Sequence, residues 1–228
     1  MPALGAIAAE PLYSLADTAI VGHLGRLPLD ALAIAATALS MAAWLAVFLT
    51  TATTSVVARF TARGDSAGAG GAAGAAYLVG AAGGATVAAI LAIAAPLIAW
   101  VLGARGTVLT SATDYLRISA LGLPFLYLSY AGNGHLTGLA DTRTPLRIAV
   151  LANVANVALE IALVFGAGWG LAGSAWGTVL AQIGSATLYA AVSRSAWSHS
   201  PWRSSRPAGS LATRPWPTPP RWGSWCPL

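Results

Sequence analysis

Six stretches of mostly apolar residues, at 2–22, 31–58, 72–102, 113–138, 145–166 and 170–193, succeed one another along the chain with short connections between them. Each is long enough to cross a bilayer as one helix, which takes about 20 residues. A helix satisfies its backbone hydrogen bonds within a single segment, so lipid accepts it where it accepts little else. Composition removes the competing reading, buried helices in a water-soluble protein. Only 8% of the 228 residues are charged and 57% are hydrophobic, whereas soluble domains carry roughly 25% charged residues. The expected fold is all-α and integral to the membrane, a six-helix transmembrane bundle.

The connections GHLGRLPLD, RFTARGDSAGAG, LGARGTVLTSATD, LADTRTP and GAGWG hold the Gly, Pro, Asp and Ser expected of turns. Abundant Gly and Ala within the spans suit close helix packing in lipid. In this arrangement Arg59, Arg63, Arg143, Arg147 and Arg194 fall at one end of the bundle, and Arg26 and Arg105 at the other. The richer side is normally cytoplasmic, which predicts a multi-pass protein with both termini inside.

A net charge of +5 and a pI near 10.0 invite a nucleic-acid reading. Its source excludes it. Seven arginines before residue 194 balance all seven acids, and the excess is Arg194, Arg203, Arg206, Arg214 and Arg221. Basic charge confined to a terminal segment describes that segment, not the folded body. Residues 194–228 also hold seven of the 13 prolines and five of the nine tryptophans, a density that forbids continued helix. The chain therefore divides into a transmembrane unit, 1–193, and a Pro/Trp/Arg/Ser-rich irregular tail, read as disordered. A surface-binding tail and a frame-shifted end are the alternatives. The lone Cys226 allows no intrachain disulfide and no metal-ligand spacing.

Polar side chains inside the spans carry the functional signal, because an ionisable group there is costly and usually faces the bundle interior. In the first span Glu10, Tyr13 and Asp17 share one helical face. In the fifth, Asn153, Asn156 and Glu160 form a narrow stripe in an otherwise apolar run. In the sixth, Ser174, Thr178 and Gln182 recur at steps of four among Gly170, Gly173 and Gly177. For the serine and the glutamine the bland reading, hydroxyl or amide bonded within its own helix, is preferred. Asn133 ends the fourth span, and neighbouring His135 is read as interfacial.

Enzymatic signals do not assemble. GAGGAAG at 68–74 resembles a dinucleotide loop, but no strand precedes it and no acid follows at the required distance. There is no P-loop, no Ser/His/Asp or Cys/His set, and no implied cofactor. The chain reads as a non-enzyme.

With these stripes in hand, the sequence resembles the multidrug and toxic compound extrusion (MATE) family, most of all its DNA-damage-inducible F branch. LADTAIVGHLG matches that family's first-helix motif, GLADTRTP its loop between helices four and five, and NVALEIALVFGAGWGLAGSAWGT its fifth and sixth helices. The likeness runs from residue 3 to about 193. It implies one six-helix lobe of a twelve-helix transporter in the cell membrane, exchanging H⁺ or Na⁺ for organic, often cationic, compounds. It implies ion or proton coupling at Asp17, Tyr13, Asn156, Glu160 and Thr178. Asn133 and Asn153 would belong to a substrate or coupling network, and Na⁺ would sit at Asp17, Asn156 and Glu160. The first helix lacks the family's opening turns and the second lobe is missing, so a full cavity would need that lobe or a second copy. A non-transporting fragment and a flippase of lipid-linked substrates are the alternatives.

Overall fold

The computed structural model describes residue 15 and residues 17–198. Helical residues 17–22 form α1. Then follow α2 (Arg26–Ala62), α3 (Ser66–Val101), α4 (Gly106–Ala120), α5 (Leu123–Gly138), α6 (Arg143–Ile161) and α7 (Gly170–Ser198), with no strand among the described residues. A single π-helical turn, Ala162–Gly166, prolongs α6. Glu10 and Tyr13 lie outside the described residues, as do residues 199–228 with Cys226. The final helix runs past residue 193, to Ser198.

The six apolar stretches correspond to α1, α2, α3, the α4–α5 pair, α6 with its π turn, and α7. The fourth differs from expectation in two ways. It begins at Gly106, which takes φ 52° after an extended Arg105. It is also broken at Leu121–Gly122. Pro124, in the first turn of α5, has no N–H to continue the ladder, and its ring opposes the preceding carbonyls. The N–H groups of Leu121 and Gly122 donate to carbonyls three residues back, those of Ile118 and Ser119, which tightens the end of α4. α4 and α5 still pack one after the other along the 36-residue α3, as two halves of one crossing.

Turn chemistry sets the other boundaries. Gly64 adopts φ 70°, and the Asp65 carboxylate then accepts from the Gly68 N–H at 2.8 Å to start α3. Residues 68–74 are accordingly the first turns of a helix. Between α5 and α6 the Asp141 carboxylate accepts from the N–H groups of Arg143 and Thr144, at 3.1 and 3.0 Å. Burial would raise its pKa, but those bonds and the Arg147 charge outweigh burial and hold this carboxyl below its ordinary value.

Burial follows lipid logic. The core of α2, α3, α4 and the start of α5 is largely alanine, with Val21, Leu32, Leu91, Leu116 and Leu123. Large apolar residues point outward instead: Trp44 is 68% exposed, Phe48 73% and Ile93 80%. Outside water those faces need no polar cover, and small buried residues let the backbones approach. α2, α3 and α6 with its π turn are each long and apolar enough to cross a membrane. α4 and α5 are individually too short, at 15 and 16 residues. α5 lies at the centre, packed against α2, α3 and α7.

Candidate functional site

The polar stripes of α1, α6 and α7 converge. Glu160 sits one residue before the end of α6, where the helix loosens into its π turn, a feature often found at functional positions. α7 can approach because Gly173 and Gly177 leave room: a Cβ on Gly177 would stand 2.9 Å from the Glu160 Cγ, and one on Gly173 2.9 Å from the Leu163 carbonyl carbon. Each of these glycines precedes a hydroxyl residue, Ser174 or Thr178. Both hydroxyls are thereby brought to the Glu160 carboxyl.

Glu160 is fully buried, as is Ser174, and Asn156 is 4% exposed. The Ser174 hydroxyl lies 3.0 Å from Asp17 Oδ1 and 3.4 Å from Glu160 Oε1. A hydroxyl has one proton, so Ser174 can donate to only one of these carboxyls at a time. Thr178 Oγ1 is 3.4 Å from Glu160 Oε1 and accepts from Asn156 Nδ2 at 3.3 Å. The carboxyls of Asp17 and Glu160 thus meet at the one Ser174 hydroxyl. Within this network two buried acceptors have no partner among the described residues, Glu160 Oε2 and Asn156 Oδ1. No cationic side chain contacts the pair among the described residues.

The far end of this network opens into a cavity of about 410 Å³ between α5, α6 and α7. Asn156 and Thr178 form part of its wall together with Asn133, Asn153, Gln182 and Tyr130. Gln182 Oε1 is buried without a partner, pressed against Gly122 at the break in the fourth crossing. Asn133 Oδ1 accepts from Thr137 on its own helix at 3.3 Å.

Of the residues singled out from sequence, Asp17, Asn156, Glu160 and Thr178 meet in one network, and Asn133 and Asn153 stand apart on the cavity wall. Tyr13 is outside the described residues. Ser174, expected to bond within its own helix, instead turns its hydroxyl to both carboxyls. Its spacing of four from Thr178, with a glycine before each, was the available signal. His135 is 3% exposed, enclosed between α5, α3 and α7 beside Tyr77 and Ser193.

The MatE family model matches residues 2–162. Protein DETOXIFICATION 44, chloroplastic, of Arabidopsis thaliana is 32% identical over 80% of this chain and 37% of its own length. DNA damage-inducible protein F of Escherichia coli K12 is 29% identical over 75% of this chain and 38% of its own. A solved structure, the outward-facing conformation of a multidrug resistance MATE family transporter, superposes with TM-score 0.77 at 26% identity, over 83% of this chain and 42% of that one. The chain thus spans well under half the length of the relatives it matches.

Proposed function

The chain belongs to the MATE family of membrane transporters, and from that premise we propose that it forms one lobe of a secondary active efflux antiporter. The lobe exchanges H⁺ or Na⁺ for organic, often cationic, compounds across the cell membrane, with both termini cytoplasmic. The observation that carries this reading is the continuity between the carboxyl pair and the cavity. Asn156 and Thr178 belong to both, so a change in charge at Asp17 and Glu160 reaches the cavity wall through two hydrogen bonds.

Charge balance supplies the driving element. Two adjacent carboxylates in a low-dielectric interior cannot both stay ionised without compensation, and no cationic side chain among the described residues supplies it. The compensating charge is a proton shared between the carboxyls, or Na⁺ carried as cargo. Either suits the oxygen-rich surroundings: Ser174, Thr178 and the unpartnered oxygens of Glu160 and Asn156. When the proton or ion leaves, the Ser174 proton must choose between two anions. Thr178 and Asn156 then re-pair, and the cavity wall changes shape. Exchange follows if ion and drug bind the inward and outward states with different affinities.

Alternating access moves one lobe against another around a site between them. A second lobe or a second copy of this lobe is the partner this mechanism requires. The test is transport in liposomes by the chain joined to such a second lobe. Drug uptake driven by an imposed H⁺ or Na⁺ gradient supports the proposal, and which gradient drives it identifies the ion. Uptake indifferent to both gradients would reject ion coupling.

A further inference from the structure

A second cavity, also about 410 Å³, lies between α3, α5 and α7 at the opposite end of the bundle from Asp17. The antiporter mechanism makes no use of it. One wall is small and apolar: Gly70, Ala73, Gly74 and Ala190. The other carries Tyr77, His135, Ser193 and Arg194. The Tyr77 hydroxyl and Ser193 Oγ are 3.0 Å apart, so one of their two protons is spent between them and the other remains to donate outward. His135 is 97% buried, from a relative exposure of 3%, and its Nδ1 has no partner among the described residues. Arg194 is exposed, and its hydrogen bond to the described residues runs from Nε to the Ala190 carbonyl at 3.2 Å.

The side chains lining this cavity therefore offer free hydroxyl and imidazole groups and one permanent cation, Arg194, with no carboxylate among them. That is the chemistry of a phosphate site. The position says which phosphate. Gly74 is exposed at the cavity edge, and Leu78, one turn along the same face, is 74% exposed among other large apolar residues that face lipid. The mouth thus opens sideways toward acyl chains. It does so at the arginine-rich end of the bundle, near the level where headgroups lie. Basic pockets between transmembrane helices at that level take anionic lipid headgroups. We infer that this cavity binds the phosphate headgroup of an anionic phospholipid, with Arg194, His135 and the Tyr77–Ser193 pair as donors and the α3 glycine face against an acyl chain.

Two variants leave the fold intact by design. Arg194→Gln alters an exposed side chain, and Gly74→Leu fills the cavity from a position where an added Cβ meets nothing within 4 Å. The purified chain in mixed micelles would be titrated with phosphatidylglycerol, phosphatidylcholine and inorganic phosphate, with bound lipid counted by native mass spectrometry. Phosphatidylglycerol should bind in preference to phosphatidylcholine, and inorganic phosphate should not displace it. Arg194→Gln should weaken that binding about fivefold, the effect of one basic side chain near an anionic surface, and Gly74→Leu should abolish the preference. Equal binding of both lipids, or unchanged binding in both variants, would overturn the proposal. Full displacement by inorganic phosphate would show a free-anion site and overturn it as well.

Discussion

Between α2 and α5, hydroxyls on one helix reach the backbone of the other. Thr50 donates to the Tyr130 carbonyl at 2.9 Å, Thr54 to Gly134 at 3.3 Å, and Tyr127 to Ala42 at 2.9 Å. Across α1, α6 and α7 the partners are side chains on both sides, and two buried acceptors are left over. Polar residues in lipid serve both seams, but differently. A hydroxyl bonded to a carbonyl has a complete partner and holds helices together. A carboxyl pair with spare acceptors still has oxygens to offer a proton or cation, which is what the proposed coupling requires.

The contrast is tested most severely at the carboxyls. In the chain joined to a second lobe, Asp17→Asn or Glu160→Gln should bring gradient-driven efflux to background while membrane insertion stays normal, since the amide nearly matches the carboxyl in shape. Drug efflux at the unmodified level, with equal protein in the membrane, would make the pair merely structural.

A smaller but sizeable effect is expected from overfilling the structural seam. A Cβ at Gly134 would meet the Thr50 carbonyl oxygen at 2.8 Å, so Gly134→Val should destabilise the bundle by about 1–3 kcal/mol. The folded fraction should keep its ion dependence. A thermal-shift measurement in detergent reads the first effect and flux per folded molecule the second.

Coupling energies sharpen the distinction further. Ser174→Ala and Thr178→Val, singly and together, should interact by at least about 0.5 kcal/mol because both hydroxyls meet one carboxyl. Thr50→Val and Thr54→Val each remove a bond to a separate carbonyl. Each should cost about 0.6 kcal/mol, typical of hydrogen bonds between membrane helices, and the two costs should add. Additivity at both seams would erase the difference.

The smallest effect belongs outside the membrane, at Asp141. Its carboxyl is held below the ordinary value of 3.8 in the folded chain by bonds from Thr144 and Arg143 and by the Arg147 charge, against the opposing effect of burial. A depressed folded pKa gives stability that is present above the unfolded value and lost as pH falls through the folded one. Asp141→Asn should therefore slightly destabilise the chain at neutral pH, with the deficit vanishing in acid below that value. Unfolding midpoints taken at several pH values check the sign, and a deficit that grows in acid would contradict it.

The membrane fold and the carboxyl stripes were legible in the sequence, because both depend on regularities within one segment. Hydropathy over a span and the 3.6-residue helical period need no knowledge of neighbours, so the spans and the shared faces of α6 and α7 could be read directly. The break at Leu121–Gly122 was carried by Pro124, yet a continuous apolar run concealed it. Ser174 and His135 were different. Asp17 and Ser174 are 157 positions apart, and nothing local says that one hydroxyl will face two carboxyls. That pairing depends on how far α7 can sink toward α6, which the absence of a Cβ at Gly173 and Gly177 allows. His135 is buried where α5 meets α3 and α7, beside Tyr77 and Ser193. Within a helix, the sequence determined which residues share a face. Only the packed structure decided which faces meet, because the distance between two helices depends on side chains from both.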